Sequence, residues 1–201
     1  MLDQLNLITE NSKLAQVFEA IFPDILEDPY NTPSEFIQAH WDQFLEYKQY
    51  NKVDRSINGS VFEALICILL VREGILPIFS QVQVTFVPNA RFDILVYSNN
   101  NRMIALSLKT TLRERWKQAD LEAFALKNVH RTAKSYLITL SEGEARNIKN
   151  KINSGGVLGL DDVVVANKTE FDDLIESLKT HSYSKPGKID VIKSSREIGS
   201  I

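Results

Sequence analysis

Cysteine is nearly absent: Cys67 is the single one among 201 residues. One thiol forms no disulfide within the chain and no cysteine metal cluster, so a reducing, cytoplasmic setting is expected. Long apolar runs are also missing. The longest, Ala64-Leu65-Ile66-Cys67-Ile68-Leu69-Leu70-Val71, falls far short of the roughly 20 residues that span a bilayer, and no membrane association is expected. The start, Met1-Leu2-Asp3-Gln4, lacks the basic head and apolar core of a secretory signal. Internal repeats and low-complexity segments are lacking as well. Positive charge is not in excess, since the formal net charge is −3.

What is there has the make-up of a soluble globular protein, 44% hydrophobic and 24% charged. The length suits one structural domain. Residues 1–57 read as a helical N-terminal region packed on a core formed by residues 58–201, which includes a polar tail. Charge is unevenly spread. Residues 1–50 carry nine acids against two bases, and residues 102–134 carry eight bases against three acids. A local basic segment can serve a polyanionic partner whatever the total charge. A solvated helix face with paired charges is the other reading.

Periodicity places the elements. Leu14, Val17, Phe18 and Ile21 recur at helical spacing. Thr32-Pro33-Ser34-Glu35 is a helix start, with a Thr cap, Pro in the first turn and Glu three residues after the cap. His40 on that helix is read as a packing residue. A third helix runs from Val61 to about Glu73, apolar nearly all round, and so belongs to the core. Glu63 is its exception. A half-buried strand follows over Ile78 to Val87, with Gln81, Gln83 and Thr85 on its polar side. Two apolar runs come next, separated by the turn Ser98-Asn99-Asn100-Asn101. Then come a helix from about Thr111 to Lys127, a strand over Ser135–Leu140, a helix from Ser141 to Ile152, a short strand at Val163–Ala166, and a helix capped by Thr169. Beyond His181 the polar chain is a loop, an added strand or an arm. The order helix, three strands, helix, strand, helix, strand, helix predicts an α/β fold with a mixed β-sheet flanked by helices.

The two apolar runs carry the chemistry. They read Arg91-Phe92-Asp93-Ile94-Leu95-Val96-Tyr97 and Met103-Ile104-Ala105-Leu106-Ser107-Leu108-Lys109-Thr110. A carboxylate and an ammonium are costly to bury on strands. Ala105, Ser107 and Lys109 share one strand face. Asp93 and Lys109 converge only if the two strands are staggered or diverge at that end, which would open a cleft. Phosphodiester hydrolysis suits such a pair. It needs a metal to neutralise the phosphate and acidify a water, and Mg²⁺ takes one or two carboxylates with further oxygens. A lysine beside the metal can orient that water and offset developing charge. Asp93 and the backbone carbonyl of Leu108 are candidate metal ligands, and Glu63 is placed to approach from the first turn of the central helix.

This arrangement resembles the PD-(D/E)xK nuclease superfamily, and most closely type II restriction endonucleases. In that family an acid from the first helix, an Asp on the second strand and an acid-x-Lys on the third gather around Mg²⁺. By order, Glu63 in Gly59-Ser60-Val61-Phe62-Glu63, Asp93, and Lys109 in Ser107-Leu108-Lys109 match those roles. The resemblance covers roughly residues 59–140 and implies a restriction-endonuclease-like core with an N-terminal helical annex. Two positions depart from the pattern. Phe92 replaces the usual Pro, at a position that supplies no ligand. Ser107 replaces the usual acid, and a hydroxyl is a poor Mg²⁺ ligand. Glu122 on the following helix is the best-placed substitute, with Asp120 and Glu114 behind it. The stretch Lys109–Asp120 also looks like sequence that follows the catalytic lysine in restriction enzymes. Arg113 and Lys117, four apart on one expected helix face, with Arg115 beside them, are candidates to hold DNA phosphates. Trp116 is read as packing.

The resemblance thus implies a Mg²⁺-dependent endonuclease on double-stranded DNA, acting as a homodimer, with a DNA methyltransferase as its companion. Alternatives are a nuclease of the same fold for repair or structure-specific cleavage, a DNA-binding member with a decayed site, and an unrelated α/β protein whose Asp93–Lys109 pair is structural.

Overall fold

Ser12 opens the first described helix, α1 (Lys13–Ile21), by accepting the Ala15 N–H at 3.0 Å. That bond satisfies one of the donors a helix start leaves unpaired. The computed structural model describes residues 7–9, 12–100, 102–186, 192–193 and 196–199. Helix α2 (Pro33–Asn51) begins where the sequence predicts, with Thr32 Oγ1 accepting the Glu35 N–H at 3.3 Å. A short 3-10 turn at Arg55–Ile57 runs directly into α3 (Asn58–Arg72), which therefore starts earlier than Val61. Gly74, at φ +71°, follows its end, a conformation glycine adopts without strain.

Strands β1 (Ile78–Val84), β2 (Phe92–Ser98) and β3 (Arg102–Lys109) form an antiparallel meander. Helix α4 (Arg115–Val129) then carries the chain to β4 (Lys134–Thr139), which pairs parallel with β3. Helix α5 (Glu142–Asn153), β5 (Asp162–Val165) and α6 (Thr169–Lys179) complete the order, with β5 parallel to β4. Beyond His181 the chain supplies added strands: β6 (Ile192–Lys193) and β7 (Arg196–Ile198) both pair antiparallel with β1. The sheet order is β5-β4-β3-β2-β1-β6, with β7 also on β1. The protein is thus α/β, with helices on both faces of a mixed sheet, in the element order the sequence predicts.

One face is covered by α1, α2, α3 and α6, whose Phe18, Phe44, Phe62 and Phe171 share a core with Ile94, Leu106 and Ile138 of the sheet. Ten of the fifteen residues of α3 are buried, which makes it the centre of that layer. Each fully buried large side chain there contributes about 1.5–3 kcal/mol. Helices α4 and α5 cover the other face, through Leu126 on Leu95 and Ala105, and through Ala123 and Ile148 on Leu137 and Val163. His40 is buried between aromatic rings, its Nδ1 2.8 Å from the Phe36 carbonyl. Among the described residues, no helix is long and apolar enough to cross a membrane.

Three further boundaries differ from the sequence reading. Strand β1 stops at Val84, because the Val87 N–H turns back to the Val84 carbonyl at 3.1 Å. Thr169 is the first residue of α6 rather than its cap, and Lys168 stands in the cap position without a side-chain bond. Helix α4 starts at Arg115 instead of Thr111. The Glu144 carboxylate takes the Leu112 and Arg113 N–H groups at 2.8 and 2.7 Å, and Arg113 sits at φ +41°, outside helical geometry.

Candidate active site

The strand ladder is broken at one rung. Between β1 and β2 the pairs run Ile78↔Val96, Phe79↔Leu95, Ser80↔Ile94 and then Val82↔Phe92. Gln81 and Asp93 therefore face one another in register without pairing. Between β2 and β3 the pairing begins only at Ile94↔Leu106, so Ser107 is the next position opposite Asp93. Gln81, Asp93 and Ser107 thus lie on one rung along which β1, β2 and β3 do not pair, while Ser107 pairs on its other side with Leu137 of β4.

Both strands turn over at that rung. On β1, Ile78 packs into the α3-side core, yet Val82 and Val84 belong to the core on the opposite face. On β2, Ile94 faces α3 while Phe92 faces away. A regular strand keeps residues i and i+2 on one face. On β1 the reversal coincides with Gln81 at φ +52°, a left-handed conformation uncommon for a residue with a Cβ.

The reversal leaves Asp93 free to reach sideways to β3. Its Oδ2 accepts the Leu108 N–H at 2.6 Å and receives the Lys109 ammonium at 2.7 Å. The two charged side chains are 20% and 12% exposed, so their pairing is only lightly screened. In an extended strand the N–H and C=O of one residue lie along the same edge. The Leu108 carbonyl is accordingly turned to the Asp93 side of β3.

A second carboxylate approaches from each face. Glu63, on α3, accepts from Gln81 Nε2 at both carboxylate oxygens, at 3.1 and 3.0 Å, and lies 3.9 Å from the Arg196 guanidinium on β7. Burial raises its pKa, the Gln81 bond opposes this, and the Asp93 charge adds to it. Glu122 comes from α4 on the other side and is buried, with Gln118 Nε2 donating to it at 3.0 Å. Burial raises its pKa too, against the Gln118 bond and the pull of Lys109, with Asp93 pushing it further up. Both acids thus feel the Asp93–Lys109 pair electrostatically. Glu63 also lines a cleft of about 730 Å³, together with Ser60, Cys67 and Arg196. Cys67 is buried, as its sequence setting suggests.

Of the other sequence candidates, Ser107 shares the rung of Asp93 and the rest lie elsewhere. Asp120 is occupied in holding a loop: its carboxylate accepts the N–H groups of Leu158, Gly159 and Leu160 at 2.6–3.1 Å. Glu114 is exposed and paired with Lys117. Ser107 is buried on the broken rung. Arg113, Arg115 and Lys117 are all exposed. The expectation that Arg113 and Lys117 share a helix face does not hold, because the Glu144 tether keeps Arg113 ahead of the helix. Trp116 is partly buried against the α4–α5 core, with the Lys151 ammonium 4.7 Å from its ring centre. Lys151 thereby adds a base from α5 beside the Arg115–Lys117 turn.

Gln81, Arg196 and Lys151 were not singled out by the sequence. Gln81 alternates with Val82 and Val84 as a solvent-facing strand residue would, and no local signal announces its left-handed backbone. Among the described residues, no three His, Cys, Asp or Glu side chains stand close enough together to form a ready metal cluster. Comparison with known proteins finds no matching family model, no matching curated protein and no matching solved structure.

Proposed function

We propose that the chain is a Mg²⁺-dependent endonuclease of the type II restriction class, hydrolysing phosphodiester bonds at a short specific sequence in double-stranded DNA. One observation carries the reading. Lys109 Nζ meets the Asp93 carboxylate at 2.7 Å where β2 and β3 part, with Glu63 and Glu122 in electrostatic reach. The candidate donors, Asp93, Glu63, Glu122 and the Leu108 carbonyl, are hard oxygens of the kind Mg²⁺ takes. Glu63 and Glu122 both feel the Asp93 charge, and a bound cation would offset that mutual repulsion. Bound there, Mg²⁺ would neutralise the scissile phosphate and acidify a water.

The chain's own groups would do the rest. Asp93 holds the Lys109 ammonium in place through an ion pair. Lys109 then orients the attacking water and stabilises charge developing on the phosphate. Arg113, Arg115 and Lys117 supply exposed positive charge after β3 for the DNA backbone. Cutting both strands of a two-fold duplex calls for two such sites, hence a homodimer. A methyltransferase of the same specificity would protect the host DNA.

Digestion of a sequenced plasmid with Mg²⁺, followed by mapping of the ends, tests this. Sharp ends at one short motif support the restriction reading. Cleavage only at junctions or free ends supports a repair or structure-specific nuclease. A second reading, a DNA-binding member with a decayed site, is favoured by Ser107, which puts a buried hydroxyl on the rung where an acid is expected. It predicts DNA binding without cleavage in Mg²⁺ or Mn²⁺.

A further inference from the structure

We infer that Gln81 is a positioning residue of this site, an inference that rests on the metal-dependent reading above. Its left-handed backbone on β1 holds its carboxamide against Glu63, and so fixes the Glu63 carboxylate toward Asp93.

Three observations meet at Gln81. It adopts φ +52° in the middle of a strand, where extended backbone is the norm. It lies opposite Asp93 in register, at the one rung between Ile78 and Val82 that does not pair. Its Nε2 donates to both oxygens of Glu63, at 3.1 and 3.0 Å. Non-glycine residues held in the left-handed region persist where the surroundings over-determine them, and they cluster at functional sites. Here the conformation does identifiable work. It reverses the facing of β1, so that Ile78 and Val82 pack on opposite sides of the sheet.

Regular extended backbone at Gln81 would restore the period-two alternation beyond it and put Val82 and Val84 on the α3 face. Gln81 would then lie with Phe79 on the face away from α3 and could not reach Glu63. The strained residue and the carboxylate contact are therefore one device. A group that orients a ligating carboxylate typically changes metal affinity by 10–100-fold when removed.

Two variants separate the side chain from the backbone. Gln81→Asn tolerates the left-handed region but is one methylene too short to keep both bonds to Glu63. Gln81→Gly adopts the same φ without strain and removes the side chain altogether. Both are expected to melt within a few degrees of the parent. The readouts are Mn²⁺ binding by calorimetry and the Mg²⁺ dependence of plasmid cleavage. The expected result is a rise of about tenfold or more in the metal concentration for half-saturation, with cleavage at saturating metal much less affected. A purely structural role would lower melting temperature and leave the metal half-saturation point in place, and that result overturns the inference. If the parent binds Mn²⁺ but cuts no DNA, weaker Mn²⁺ binding by both variants upholds the positioning role while the nuclease reading falls. If the parent neither binds Mn²⁺ nor cuts DNA, both fall.

Discussion

The Asp93 carboxylate accepts the Leu108 backbone N–H at 2.6 Å, taking the place of a ladder partner from β2. Asp93 is thus both a structural acceptor and the counter-charge of Lys109, and two substitutions separate these roles. Asp93→Ala leaves a lightly exposed ammonium and a backbone donor without their partner, which typically costs about 3–5 kcal/mol. Asp93→Asn keeps an oxygen for the Leu108 N–H and removes the charge. Chemical denaturation should therefore find the Ala variant clearly less stable than the Asn variant. Equal stabilities would mean that the N–H bond contributes little.

The three acids proposed from sequence to replace the one missing at Ser107 should separate cleanly. Glu122→Gln is expected to lower Mg²⁺-dependent cleavage by at least about tenfold if Glu122 is a metal ligand, since its charge couples to Asp93 and Lys109. Glu114→Gln should leave cleavage and melting unchanged, since Glu114 is exposed and paired only with Lys117. Asp120→Ala should lower melting temperature, because three backbone donors of the 158–160 loop lose their acceptor. Rates and melting curves for the three variants check the assignment. Undiminished cleavage by Glu122→Gln would remove it from the site.

Gly159 lies directly on α4. A Cβ at that position would stand 2.1 Å from the Phe124 nitrogen and 2.5 Å from the Asp120 carbonyl oxygen. Both obstacles are helix backbone, so neither swings aside. Gly159→Ala should cost about 3 kcal/mol and lower the melting temperature on the order of 10 °C. An unchanged melting temperature would show that the loop does not rest on the helix as described.

Glu144 gives a pH-dependent prediction. The Leu112 N–H bond first, then Ser141 and the Arg113 N–H, hold its carboxyl below the ordinary range. A depressed folded-state pKa contributes stability above the unfolded value, about 4.3, which is lost as pH falls through the folded value. The parent should melt above Glu144→Gln at neutral pH, and the gap should narrow as pH falls through and below the ordinary carboxylate range.

Much of the layering is legible in sequence because it depends on local periodicity. The Thr32 start of α2, the all-round apolar α3 and the three-strand meander are of that kind. So is the suspicion attached to Asp93 and Lys109, which rests on charges in apolar runs. What was hidden depends on distant partners. Arg113 reads as helical until Glu144, 31 residues on, takes its N–H. Arg196 reads as part of a polar tail until β7 pairs with β1 and brings it to Glu63. Gln81 reads as the polar side of a regular strand, because a single left-handed residue leaves the pattern of residue types unchanged while reversing the faces beyond it.

A side-by-side digestion of one plasmid in Mg²⁺ by the parent and by folded Asp93→Asn, with DNA binding followed in Ca²⁺, tests most directly whether the Asp93–Lys109 pair is the heart of a metal-dependent nuclease. A nuclease site there gives discrete cleavage by the parent, abolished by EDTA, and a loss of at least about 10³-fold in the variant with binding retained. Cleavage by Asp93→Asn at the parent's rate, or no cleavage by the parent with any divalent cation, would contradict it.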